Sequence, residues 1–127
     1  MPTSLSAGNI VRKLLLDSKA VTAITRKIFP IATDKAVLPY VLYRRTALQH
    51  DPTKAGAPGA DTVEVEVVAY AATYAQSVGL AEAVRSALDY AQGSGGSLSL
   101  RSCTLVDSAE GWEDDAFAQQ LIFQLRI

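Results

Sequence analysis

Residues Val63–Gln76, VEVEVVAYAATYAQ, constrain the fold more than any other stretch of this chain. From Thr62 to Tyr70 apolar and polar residues alternate almost one for one, the two-residue period of a half-buried strand. Past Tyr74 the period changes: Val78, Ala81, Val84, Leu88 and Ala91 recur at three- and four-residue steps, the stripe of an amphipathic helix. A strand running straight into a helix specifies a mixed α and β fold. The inward set on the strand is Val63, Val65, Val67 and Ala69, with Glu64 and Glu66 outward.

The other segments fit around this unit. SLSAGNIVRKLLLDS reads as a first helix, capped by Ser4 or Ser6, with Ile10, Val11, Leu14 and Leu15 on one face. AVTAITRK adds a short second helix, and KIFPIAT, interrupted by Pro30, allows only a short edge strand. In LPYVLYRRTALQ, Tyr40, Leu42, Arg44 and Thr46 alternate with Val41, Tyr43, Arg45 and Ala47. HDPTKAGAPGAD, His50–Asp61, is a loop by composition, and QGSGGS is a break that ends the long helix. SLSLRSCTLVD and FAQQLIFQLRI are the last two strands, separated by the acidic segment DSAEGWEDDA. On the final strand Phe117, Leu121, Phe123, Leu125 and Ile127 share a face interrupted only by Gln119. Strands joined by short connections pair antiparallel. The expectation is therefore an α+β fold: an antiparallel sheet of about four main strands, plus a short edge strand, packed against a long helix and N-terminal helices.

The chain has 127 residues, 49% hydrophobic and 20% charged, which suits one domain over residues 1–127 with a substantial core. No apolar run approaches the ~20 residues of a spanning helix, and the N-terminal segment lacks the continuous apolar stretch of a secretory signal. Both point to a protein made in a cytosol and to no membrane partner. Charge is divided along the chain. Residues 1–50 carry eight basic against two acidic side chains, and residues 51–127 carry four basic against eleven acidic ones. Opposite poles of this kind favour self-association over a grip on nucleic acid, because the basic residues are not gathered into a run, and a solvated mosaic with no partner accounts for the charge equally well.

Few constellations point to catalysis. His50 stands beside Asp51 in a loop with no serine, cysteine or second ligand tied to it by a motif. Cys103, the lone cysteine, sits in an alternating strand pattern and reads as a core residue. The acidic segment with Asp107, Glu110, Glu113, Asp114 and Asp115 fails the spacing of a calcium-binding EF-hand loop. Its Trp112 must fold back onto the core or find a partner. Tyr70 and Tyr74 bracket the strand-to-helix junction and read as locks of the helix onto the sheet. Arg44 and Arg45, adjacent on a strand, place one guanidinium on each face. Two other readings compete: a ligand-binding domain or enzyme with a site near Tyr43, Arg44 and His50, and a nucleic-acid module using the sheet face, which Glu64 and Glu66 oppose.

LPYVLYRRT, then a polar loop, VEVEVVAYAATYAQSVGLAEAVRSAL and a late aromatic-rich strand together resemble the tail-completion, or tail-terminator, proteins of long-tailed phages and prophages. The resemblance rests on Leu38–Val41, on Tyr70–Tyr74 and on Ala83–Leu88. It implies a structural virion protein with no reaction and no cofactor. Its members form a ring, typically a hexamer, at the head-proximal end of the tail, where they stop the tube and join it to the head. The implied partners are further copies of the chain, the major tail tube protein and a head-completion or connector protein, with DNA only as passing cargo. The implied place is the virion tail, assembled in the bacterial host cytoplasm. On that reading the candidate interface residues, for contacts between copies or with a partner, are Arg44, Arg45, His50, Asp51, Lys54, Asp107, Glu110, Trp112, Glu113, Asp114 and Asp115.

Overall fold

The computed structural model of the chain describes residues 3–31, 37–51, 60–95 and 98–127. A single 3-10 turn, Ser4–Ser6, leads into helix α1, Ala7–Asp17. The capping residue is Thr3, whose hydroxyl accepts the Leu5 N–H at 3.3 Å, and not Ser4 or Ser6. Ser4 is buried with its hydroxyl bonded to the Asp61 carboxylate, and Ser6 makes no side-chain cap bond. Ile10, Val11 and Leu15 are buried and Leu14 packs beside them, the expected face. Gly8 lets the helix lie on the sheet, since a Cβ there would stand 3.1 Å from the Tyr43 ring.

The second helix, α2, is one turn, Lys19–Thr22, capped by Ser18. It stops short of the predicted Lys27 because the Thr25 hydroxyl donates to the Pro39 carbonyl and accepts the Lys27 N–H, which turns the chain into strand β1, Ile28–Pro30. β1 runs parallel to β2, Tyr40–Asp51, so the sheet is mixed and not wholly antiparallel. A strand of three residues carries no alternation that fixes its direction. That direction follows from its ends, where the Lys27 carbonyl accepts the Val41 N–H and the Ile31 N–H donates to Tyr43.

β2 pairs antiparallel with β3, Ala60–Ala71, which continues against β7, Ala116–Arg126, and β7 against β6, Ser102–Glu113. The strand order is β1-β2-β3-β7-β6. A bulge between Arg45 and Ala47 shifts the register of β2. Ala47 therefore leaves the Tyr43 and Arg45 face on which strict alternation placed it, and Leu48 takes its place opposite Val63. The pairs His50↔Asp61 and Asp51↔Ala60 extend both strands into the segment expected to be loop, leaving residues 52–59, Lys54 among them, outside the described residues.

Helix α3, Tyr74–Leu88, follows β3 after two residues, and the Thr73 hydroxyl caps it by accepting the Gln76 N–H at 3.2 Å. Its buried side chains are Ser77, Leu80, Ala83, Val84 and Leu88. The buried stripe is thus turned from the expected one: Val78 and Ala81 are only half-buried, and Leu80 is fully enclosed. Ser77 enters this apolar face because its hydroxyl is satisfied by the Tyr74 carbonyl at 2.7 Å.

Beyond α3 the glycine-rich break contains strand β4, Gly93–Gly95, paired with β5, Leu98–Leu100, in a separate two-stranded ribbon. The predicted strand SLSLRSCTLVD consequently divides at Arg101, whose N–H bonds to the Arg126 carbonyl. The core fills the space between one sheet face and the helices: Val63, Val65, Val67 and Ala69 of β3 and Leu121, Phe123 and Leu125 of β7 meet α1 and α3. Glu64 and Glu66 stand on the other face, where Val68, Tyr70, Ala116 and Ala118 form a second, smaller cluster with Leu38, Tyr40 and Leu42.

Candidate interaction surfaces

The acidic segment predicted as a loop is half of a β-hairpin. β6 runs to Glu113 and pairs with β7 from Ala116, so the turn is only Asp114–Asp115. Both turn residues have positive φ, 52° and 59°, the two-residue geometry whose twist matches that of the flanking strands. Aspartate tolerates this conformation better than most residues with a side chain.

Alternation along the hairpin sends its carboxylates to opposite faces. On the helix side, Glu110 accepts the Tyr74 hydroxyl and the Gln119 side-chain amide, each at 2.9 Å. The Gln119 bond first, and the Tyr74 bond second, hold the Glu110 carboxyl below the usual range. The same Gln119 amide reaches the Ser77 hydroxyl at 3.4 Å, which explains why one glutamine interrupts the apolar face of β7. Phe117 carries two aromatic edges, Tyr74 at 5.9 Å and Trp112 at 4.8 Å. Trp112 nonetheless remains 58% exposed.

On the opposite face, Glu113 accepts the Tyr70 hydroxyl at 2.6 Å, and Tyr70 stacks on Tyr40 with ring centres 5.0 Å apart. Burial, followed by the Glu113 bond, raises the Tyr70 phenol well above its ordinary value. Tyr74 ties the helix start to the sheet as expected, whereas Tyr70 points away from the helix. An open depression of about 410 Å³ lies on this face, lined among others by Glu66, Val68, Tyr70, Gly111, Glu113 and Gln120.

The basic candidates lie on β2, toward the opposite edge of the sheet from the hairpin, and divide between its two faces. Arg44 pairs with Glu66 at 3.1 Å on the face away from the helices, and Arg45 is exposed on the helix side. Glu66 also accepts the Gln120 side-chain amide. His50 Nδ1 lies 2.6 Å from Asp61 Oδ1. The Ser4 hydroxyl first, and His50 second, depress the Asp61 carboxyl. Asp51 closes β2 opposite Ala60. Tyr43, Arg44 and His50 do not converge: the first two point to opposite faces, and His50 is six residues along the strand, about 20 Å away. Among the described residues, these three side chains do not form one site.

Cys103 is enclosed, and burial first, then the charge of Asp89, pushes its thiol up to about 12. At pH 8 a thiol of that kind is only about one part in ten thousand thiolate. A chromogenic disulfide reagent is therefore expected to label the folded protein at least a hundredfold more slowly than the urea-unfolded chain. Equal rates would mean that the thiol is accessible.

The described residues form a mixed five-stranded sheet backed by helices, with charged and aromatic groups displayed on its edges and a hairpin. The chain belongs to the family of tail completion protein gp17, which matches residues 10–127. It is accordingly a structural protein of phage tails. A chain of the virion of a native gene transfer agent particle has the same fold, with a TM-score of 0.75 over 98% of each chain at 19% identity. No curated protein matches the sequence. The sequence marked both acidic and basic candidates but missed the contacts that place them. Gln119, a polar break in an apolar stripe, and Thr73, directly before a helix stripe, carried the available signals.

Proposed function

We propose that residues 1–127 act as one tail-terminator domain whose copies close into a ring, a hexamer, at the head-proximal end of the tail. There the ring stops the tail tube and receives the connector of the head. Family membership over residues 10–127 carries this reading. The division of charge supports it, since a basic surface on one copy facing an acidic surface on the next gives a head-to-tail contact that closes by rotation. Arg44, Arg45 and His50 belong to the first surface, and Asp51 and Lys54 extend the candidate interface beside them in the chain. Asp107, Glu110, Trp112, Glu113, Asp114 and Asp115 belong to the second. Hairpin carboxylates that meet no neighbour flank a channel through which DNA passes without sticking, because like charges repel. The ring performs no reaction and holds no cofactor, and it assembles in the bacterial host cytoplasm.

Negative-stain images of the protein mixed with tail tubes test this. Rings at one end of each tube, and tubes that no longer lengthen when tube protein is added, are expected. Bare tube ends together with a protein that stays monomeric at high concentration would contradict the reading.

A further inference from the structure

The two outer edges of the sheet are complementary in backbone and in charge, and the rows of strand partners bring the matching groups level or within two rows of each other. β1 is one edge and β6 the other, and the pairings make these two strands antiparallel to each other. One row of partners runs Ile28↔Val41↔Ala69↔Gln119↔Glu110. The next but one runs Pro30↔Tyr43↔Val67↔Leu121↔Ser108.

The first respect is the backbone. Along β6 the outward groups near Ser102 are covered: the Cys103 carbonyl accepts the Tyr90 N–H at 2.6 Å, and the Leu105 N–H donates to Asp89 at 3.0 Å. Past the bulge between Leu105 and Asp107, the Ser108 N–H is taken by the carboxylate of Asp107 at 2.8 Å. Continuing the alternation, the outward groups of Glu110 and Trp112 have no partner among the described residues. On β1 the row of Ser108 ends at Pro30, which has no N–H. The position where one edge has no donor to offer is level with the position where the other has none. One step away, Glu110 and Ile28 end the same row, and each has an N–H and a carbonyl to exchange.

The second respect is charge. β6 carries Glu110 and Glu113 along this stretch, and exposed Arg26 and Lys27 immediately precede Ile28. An acidic edge repels its own copy, so two β6 strands do not pair with each other. It accepts a basic edge. Exposed apolar groups flank this stretch without meeting each other: Trp112 projects from β6 level with Arg26, and Ile31, 71% exposed, lies level with Asp107. Edge protection accounts for charges and a bulge on an outer strand, but not for an exposed tryptophan there.

We infer that Ser108–Glu113 of one copy adds antiparallel to the outer side of β1 in the next copy, with Glu110 opposite Ile28, so that the sheet continues from subunit to subunit without a stagger. Diagonal ion pairs from Glu110 to Arg26 and from Glu113 to Lys27 accompany it. This rests on the ring reading and specifies its contact. It also adds Arg26 and Lys27 to the interface.

Two doubly reversed variants test it. One carries Glu110→Lys with Glu113→Lys and the other Arg26→Glu with Lys27→Glu. Sedimentation velocity is run on the wild type, on each variant and on their equal mixture, with circular-dichroism melts of all three. The first variant has two basic edges and the second two acidic edges. Each alone is expected to lose the oligomer, and the mixture to regain it as alternating copies. Variants that still assemble alone, a mixture that does not, or variants that keep their rings but lose tube ends overturn the edge assignment and leave the ring. A wild type that stays monomeric at every concentration and on tubes overturns the ring and this contact with it. If either variant melts early, the neutral pair Glu110→Gln and Lys27→Gln is read instead. At least tenfold weaker association is expected there, and unchanged association overturns the contact.

Discussion

Replacing Phe123 by alanine is expected to lower the folding free energy by about 3–5 kcal/mol, the usual cost of removing a buried phenyl ring. Phe123 is fully enclosed near the middle of β7. Its row joins Arg45, Val65 and Leu105, and its ring lies on the face covered by the helices. β3 cannot move in to close the space, because its ladder with β7 is unbroken through this row, although β6 carries its bulge here. The void is therefore filled poorly, and the loss of transferred area is joined by a cavity cost. A domain of this size has only about 5–15 kcal/mol in total, so the midpoint of urea unfolding should fall steeply with an unchanged slope. A loss below about 1 kcal/mol would show that this site relaxes freely and that the core is not organised around β7.

The parts of the fold that were legible in the sequence are those buried on one face only. Val63, Val65, Val67 and Ala69 alternate with residues on the opposite face, so the strand and its inward side could both be read. β6 beyond Val106 could not. Ser108–Glu113 is exposed on both sides, so no apolar alternation is imposed on it, and its glycine and glutamates are poor strand formers. Its turn uses two aspartates at positive φ in place of the asparagine-glycine pair that usually announces a hairpin. The direction of β1 was hidden for a different reason, since it depends on where Thr25 and Lys27 find their partners. The candidate surfaces were legible as composition only. The bonds that position them join Tyr70 to Glu113 and Tyr74 to Glu110, residues far apart in the chain that meet only once the hairpin has closed.

The phase of α3 shows how two solutions can satisfy the same periodicity. A stripe through Val78 and Ala81 and one through Ser77 and Leu80 both obey three- and four-residue spacing, and they share Val84 and Leu88. Apolarity alone favours the first, because it avoids Ser77. Packing selects the second: Leu80 has no exposed surface, and the two hydrogen bonds of Ser77, to the Tyr74 carbonyl and from Gln119, remove the penalty of burying its hydroxyl. The two solutions make opposite forecasts for a pair of substitutions. Leu80→Ala is expected to cost about 2–5 kcal/mol, since it opens a cavity between α3 and the sheet. Val78→Ala, at a half-buried position, is expected to cost under about 1 kcal/mol, since little apolar area is lost and helix propensity improves. Urea unfolding of both variants measures the difference. If Val78→Ala proves the more damaging, the helix is rotated from the orientation described, and the bonds linking Ser77, Gln119 and Glu110 cannot form as a set.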